Sequence, residues 1–194
     1  MGLYIMKKNI IILLLFACAI FCKAQTVSLE TAAKCPLNPD TCPDYTYEKD
    51  INNSLDKYIG TWKGNLNGTT YELNFKRGLY EAFDIKRDNI TGRLRITNSN
   101  GQIIYNTFIE ADNAKTRFRG LGFQPDLKAY MVYFVGNSPQ GCIDYGTVYL
   151  RIKPETPNKM SIFYWSDMDI VEGPCPSSFT TTLPEKKTIN LTKQ

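Results

Sequence analysis

The densest run of groups able to do chemistry is SDMDIVE, where Asp167, Asp169 and Glu172 could ligate a calcium ion or divide acid and base roles. A calcium loop would add a glycine turn and further oxygen donors, so a solvated loop beside Cys175 is the expected reading. The 194 residues include no histidine, which removes Ser-His-Asp and Cys-His catalysis, histidine general bases and mixed zinc sites. A four-cysteine zinc site would use short Cys-x-x-Cys knuckles, and Cys35, Cys42, Cys142 and Cys175 lack that spacing. The expectation is therefore no enzyme, no metal and no cofactor.

These groups belong to a chain built for export. MKKNIIILLLFACAIFCKAQ opens with Lys7 and Lys8, continues in an apolar run from Ile10 to Cys22, and breaks at Lys23, as secretory signals do. The run is well short of the roughly 20 residues that span a bilayer as a helix, so no transmembrane span is expected. Cleavage after Ala24 would leave Gln25 as the first residue of a periplasmic or secreted chain. Lipidation of Cys18 or Cys22, giving an outer-membrane lipoprotein, is the alternative. Cleavage removes Lys7, Lys8 and Lys23 and no acidic residue, which takes the formal charge from +4 to +1. Without a basic surplus there is no case for nucleic acid as a partner.

About 170 residues then remain, enough for one domain with a substantial core. Four cysteines in an exported chain read as a disulfide framework with three possible pairings. The favoured pairing is Cys35 with Cys42 and Cys142 with Cys175, loops worth at most about 2.5 and 3.8 kcal/mol in the chain-entropy account.

Residues 25–57, rich in Pro, Asp, Asn and Thr, read as a loop-like leader, with Asn53 or Ser54 capping one short helical turn. From Tyr58 onward the chain reads as strands. In YIGTWKGNLNGTTYELNF a turn at Asn67-Gly68 pairs Leu66 with Thr69, Gly64 with Tyr71, Trp62 with Leu73 and Gly60 with Phe75. That register gives one face with aromatic rings over glycines, and an opposite face on which Lys63 meets Glu72. A turn at Asn100-Gly101 pairs Ile96 with Tyr105 and Leu94 with Thr107. Further strands are expected over 79–86, 129–136, 146–153, 159–165 and 187–192. AYMVYFV, apolar on both faces, needs cover on both, with the leader as the candidate. Residues 109–128 carry no clear pattern. The triplets at Asn52, Asn67, Asn89 and Asn190 are formal glycosylation acceptors, read here as chance matches.

Three resemblances add to this. GLGF at 120–123, after Arg119, is similar to the carboxylate-binding loop of PDZ domains, but Pro125 would interrupt the edge strand that such a loop feeds, and a glycine-bearing bend in a strand is the plainer reading. Gly60-Thr61-Trp62 resembles the Gly-x-Trp start of lipocalins, and avidin-type barrels begin in a similar way. That resemblance implies a tryptophan packed across the closed end of an eight-stranded cup with a late cation over it, for which Arg151 is the nearest candidate. Finally, the KAQTVSLETAAKCPLNPDTCPDY leader, LDKYIGTWKG and the ending INLTKQ resemble a family of exported Bacteroidetes proteins with a domain of unknown function. This implies an envelope or secreted location and supplies no activity.

The expected fold is mainly β: a single antiparallel barrel or barrel-like meander of eight to nine strands over 58–194, lipocalin-like, behind a signal (1–24) and a stapled leader (25–57). The expected function is non-enzymatic binding outside the cytoplasm of a small lipophilic molecule lined by Trp62, Tyr71, Leu73, Phe75 and Tyr105. The alternative is a protein–protein interaction module of the envelope with a filled core.

Overall fold

The computed structural model describes residues 25–194, so the expected signal segment lies outside the described residues. Its strands are β1 (Thr26–Ser28), β2 (Tyr47–Lys49), β3 (Gly60–Leu66), β4 (Thr69–Ala82), β5 (Ile85–Thr97), β6 (Ile103–Asn106), β7 (Phe118–Phe123), β8 (Tyr130–Val135), β9 (Tyr145–Ile152), β10 (Lys159–Ser166) and β11 (Thr188–Lys193). One short helix, α1 (Leu29–Lys34), is capped by the Ser28 hydroxyl. Among the described residues no helix is long and apolar enough to cross a membrane.

Strands β3, β4, β5, β7, β8, β9, β10 and β11 pair antiparallel in that order, and β11 returns to β3. This is a closed eight-stranded up-and-down barrel, an architecture that leaves no open edge. The first hairpin has the register the sequence predicts, from Gly60 opposite Phe75 to Leu66 opposite Thr69. Asn67 and Gly68, at φ 54° and 83°, make the left-handed turn it needs. The second predicted hairpin pairs Ile96 with Tyr105, and Thr107 N donates to Leu94 O at 2.9 Å. Both favoured disulfides, Cys35–Cys42 and Cys142–Cys175, are formed.

Several expectations are corrected. Residues 79–86 are not one strand, because Phe83 and Asp84 take φ of 51° and 62° and turn the chain from β4 into β5. A phenylalanine in that region is a poor turn former, so the signal was missing from the sequence. Residues 109–128 contain β7. The turn over Asp56–Tyr58 follows Leu55 and has no side-chain cap from Asn53 or Ser54; Asp50 instead holds the chain leading into it, accepting from Ser54 N at 2.7 Å and Leu55 N at 3.3 Å. The leader packs α1 against β7 and adds β1 and β2 parallel to the foot of β5. It does not cover the outer face of β8, where Met131 and Tyr133 are half-buried and Val135 is exposed. Lys63 stands opposite Glu72 as the register predicts, but the ion pair of Glu72 is with Arg95, at 2.6 Å.

The glycines of the first strand also serve different neighbours from those expected. A Cβ on Gly64 would collide with the Asn190 carbonyl of β11, not with Tyr71, while the Phe75 ring lies over Gly92. Gly60, at φ 120°, faces the Lys193 stem. The Lys193 ammonium sits 5.4 Å from the Trp62 ring centre, so Lys193 and not Arg151 is the late cation over this tryptophan. The Trp62 indole N–H donates to Tyr58 O at 2.8 Å.

Trp62 is fully buried, whereas Lys63 points outward with no ion-pair partner among the described residues. Trp62→Ala should cost about 3 to 5 kcal/mol in urea melts, and Lys63→Ala less than about 1 kcal/mol. Gly64→Val should destabilise by about 1 to 3 kcal/mol or more, since the closing strand has no room to yield. Equal tolerance of all three changes would refute this packing.

Candidate functional site

The barrel interior is crossed by side chains in mutual contact. Phe75 meets Phe118 (5.9 Å between ring centres), Phe118 meets Phe134 (4.7 Å), and Phe134 meets Tyr164 (5.9 Å). At the base, Tyr58, Phe123 and Tyr130 close a second cluster at 4.9 to 6.4 Å. Three of these pairs are edge-to-face and three are tilted, and together the rings fill the interior. Of the residues expected to line a ligand, Trp62, Tyr71, Leu73 and Phe75 belong to this core. Tyr105 lies on β6, outside the barrel wall, half-buried against the core with its hydroxyl unpaired. Tyr71 alone of the five also reaches a cavity, of about 720 Å³, at the mouth beside Cys142–Cys175, Ser166 and Asp167.

The outer wall is less regular. Along β5 the inward residues are Ile90, Gly92 and Leu94, which leaves Asn89, Thr91 and Arg93 outward, where strand alternation should wet them. They are instead 2%, 9% and 5% exposed. The edge of β5 explains this: it serves β2 at its foot, β7 at Thr91 and Gly92, and β6 near its end. The segment between β6 and β7 must therefore fold back over the outward side chains. Arg93 anchors it, donating through Nε to Glu110 O (2.6 Å) and through Nη2 to Ala111 O (3.1 Å) and Asn113 Oδ1 (2.9 Å).

Between this segment, the β4–β5 hairpin and β7 lies a groove of about 450 Å³. Asn89 and Thr91 form its floor, and Gly78 opposite Asn89 keeps it open, since a Cβ there would press on both side chains. Tyr80, Tyr133 and Val135 give ring and apolar walls, and Arg117 and Arg119 stand at its side. The Arg119 guanidinium lies 5.6 Å from the Tyr80 ring centre, and Arg117 donates to Asn137 Oδ1 at 3.1 Å. Among the described residues no carboxylate pairs with Arg93, Arg117 or Arg119, and Glu81, the acid in the lining, pairs with Lys86 at 2.8 Å. Asn89 Oδ1 and Thr91 Oγ1 have no hydrogen-bond partner. Such atoms are uncommon in native structures, and a water, an ion or another bound group is among the things that satisfy them.

The sequence marked this floor only as the triplet Asn89-Ile90-Thr91, a formal glycosylation acceptor that burial closes to modification. A polar alternation in DNITGRLR was visible, but nothing in it distinguishes a wet face from a covered one. The carboxylates of SDMDIVE have different partners: Asp167 accepts from the Tyr133 hydroxyl at 2.8 Å, a hydrogen bond to Asp169 pushes the Tyr145 phenol up, and Glu172 is exposed. GLGF sits inside β7 with a bulge between Gly120 and Gly122, and the Leu121 carbonyl accepts from Arg87 at 2.9 Å, so it is no free loop. Three buried acids, Glu48, Asp50 and Asp144, carry no mark in the sequence; Asp144 accepts from Asn137 N (2.9 Å), Thr182 N (2.8 Å) and the Thr182 hydroxyl (2.6 Å), tying the mouth loops together.

On the other side of the barrel, an aromatic belt runs along the outer faces of β9 and β10. Tyr149 and Phe163 are 6.5 Å apart, Phe163 and Trp165 6.3 Å, and Lys186 lies over Trp165 at 5.1 Å. Met168 and Ile170 stand fully exposed beyond it.

In comparisons with known proteins, a family model described as a family of unknown function (DUF6705) matches residues 6–160. No curated protein and no solved structure matches the chain.

Burial, with the hydrogen bond to Asp167, pushes the Tyr133 phenol up to about 12, and the hydrogen bond to Asp88, with burial, does the same for Tyr47. Because the folded state holds these protons more tightly than the unfolded chain, their contribution is complete below about pH 10 and lost as pH rises toward 12. Alkaline absorbance titration should show a late class of tyrosines, with stability falling over that window. Tyr133→Phe should remove one member of that class and flatten the fall; an unchanged late class would contradict the assignment.

Proposed function

The chain belongs to DUF6705, a family of unknown function, and we propose that it is a non-enzymatic binding module, acting outside the cytoplasm, that takes its ligand on the outer wall of a solid barrel. The observation that carries this reading is the line of rings from Phe75 through Phe118 and Phe134 to Tyr164, which occupies the space a lipophilic ligand would need. Ligand sites are concave and combine apolar walls with a few placed polar groups, as the groove over Asn89 does. The signal-like leader and the two disulfides suit an oxidising compartment. Absence of histidine from the sequence and the engagement of Asp167 and Asp169 by tyrosine hydroxyls favour binding over catalysis.

The aromatic belt favours a second reading, contact with a protein of the envelope through the outer face of β9 and β10.

A neutral lipophilic dye, N-phenyl-1-naphthylamine, separates the interior from the outer wall. Read in Trp165→Phe, where Trp62 is the remaining tryptophan, the purified chain should show no saturable uptake and no quenching of indole emission. Stoichiometric uptake with quenching would overturn the solid-barrel reading and restore Trp62, Tyr71, Leu73 and Phe75 as a ligand lining. For the second reading, radical footprinting should label Phe163 and Trp165 less in intact cells than in the purified chain; equal labelling would remove it.

A further inference from the structure

We propose that the groove over Asn89 and Thr91 binds a small polyhydroxylated oxyanion, with its acidic group against Arg117 and Arg119 and a hydroxyl on the floor. This rests on the reading that the module binds on its outer wall.

The charge comes first. Two guanidiniums, those of Arg117 and Arg119, line one groove without a carboxylate partner among the described residues. Guanidinium stays charged in proteins and presents a planar fork suited to carboxylate or phosphate. Arg119 is held by stacking on Tyr80 and Arg117 by its bond to Asn137, so both are oriented before a ligand arrives. Arg93 lies behind the wall and serves as a positioning residue, holding the segment that carries Asn113.

The floor selects the rest of the molecule. Asn89 Oδ1 is an acceptor that lacks a donor, and Thr91 Oγ1 lacks any partner. A ligand ammonium could serve the amide oxygen, but the neighbouring guanidiniums repel it. A hydroxyl can donate to the amide oxygen or accept from the amide nitrogen, so it suits either orientation of Asn89. Between floor and rim, the rings of Tyr80 and Tyr133 and the side chain of Val135 offer apolar surface for the C–H groups of the ligand. A volume of about 450 Å³ admits one molecule of the size of a sugar acid or a sugar phosphate, which share this chemistry. A purely lipophilic molecule would leave the two floor atoms unpaired.

Isothermal titration of the mature chain with D-glucuronate, D-glucose 6-phosphate, D-glucose and inorganic phosphate tests this. At least one of the two acidic sugars should bind about tenfold or more tightly than glucose, since ionised hydrogen bonds are the stronger ones, and the advantage should shrink with added salt. Arg119→Gln should erase the advantage. Thr91→Val, which keeps the shape of the floor, should weaken the acidic sugar while leaving the response to salt. Binding of glucuronate alone identifies a carboxylate ligand, and of glucose 6-phosphate alone a phosphate ester. Inorganic phosphate binding as tightly as the sugar phosphate would refute the hydroxyl on the floor. No saturable binding, glucose binding equally well, or an unchanged advantage in Arg119→Gln would overturn the proposal. If these failures come with exclusion of the lipophilic dye, the outer-wall reading stands and the ligand class falls.

Discussion

Closure between β3 and β11 is the constraint on which the rest of the structure depends, and it is made by very little pairing. Lys63 faces Thr192, Trp62 faces Lys193, and Gln194 N donates to Thr61 O at 2.9 Å. The seam holds because the two strands approach closely, and that approach is possible only where β3 has no side chain. Gly64 admits the Asn190 carbonyl, and Gly60 admits the stem of Lys193 on its way over the Trp62 indole. Glycine, tryptophan and lysine thus act together: two remove bulk, one fills the base, and one covers it. A sheet left open here would expose two edges of unpaired backbone.

Closure also determines which surfaces remain for function. Eight strands give an interior that side chains can fill or that can hold one small ligand, and this chain fills it with phenylalanine and tyrosine rings. In a barrel packed in this way the groove over Asn89 lies outside the wall, among the elements attached to it. The long β4–β5 hairpin, running past the base to an exposed Phe83, supplies one wall of a groove. Arg93 supplies another by pinning the segment between β6 and β7. The same fold-back removes Asn89 and Thr91 from solvent without giving them partners, a cost that packing alone does not offset.

Local pairing was legible because its determinants are local. Asn67-Gly68 and Asn100-Gly101 demand left-handed turns, period-two alternation sets the register around them, and short loops between proline-flanked or closely spaced cysteines favour their own closure. The residues of the first hairpin therefore announced both its faces, and the strand count announced a barrel. The turn at Phe83-Asp84 stayed hidden because its residues carry no such preference, and β7 because a bulge at Gly120 breaks its alternation.

What the tertiary structure alone decided is which side chain meets which across the barrel and what covers its outside. Gly64 opposes Asn190, Lys193 covers Trp62, and Glu72 takes Arg95 instead of the neighbour across its own hairpin. These pairs are distant in sequence, and no local pattern ranks one distant partner above another. The polar alternation of β5 does not distinguish in sequence a wet outer face from a covered one. Only the sharing of the β5 edge among β2, β7 and β6 folds chain over those polar side chains, and so turns Asn89 and Thr91 from surface residues into the floor of a groove.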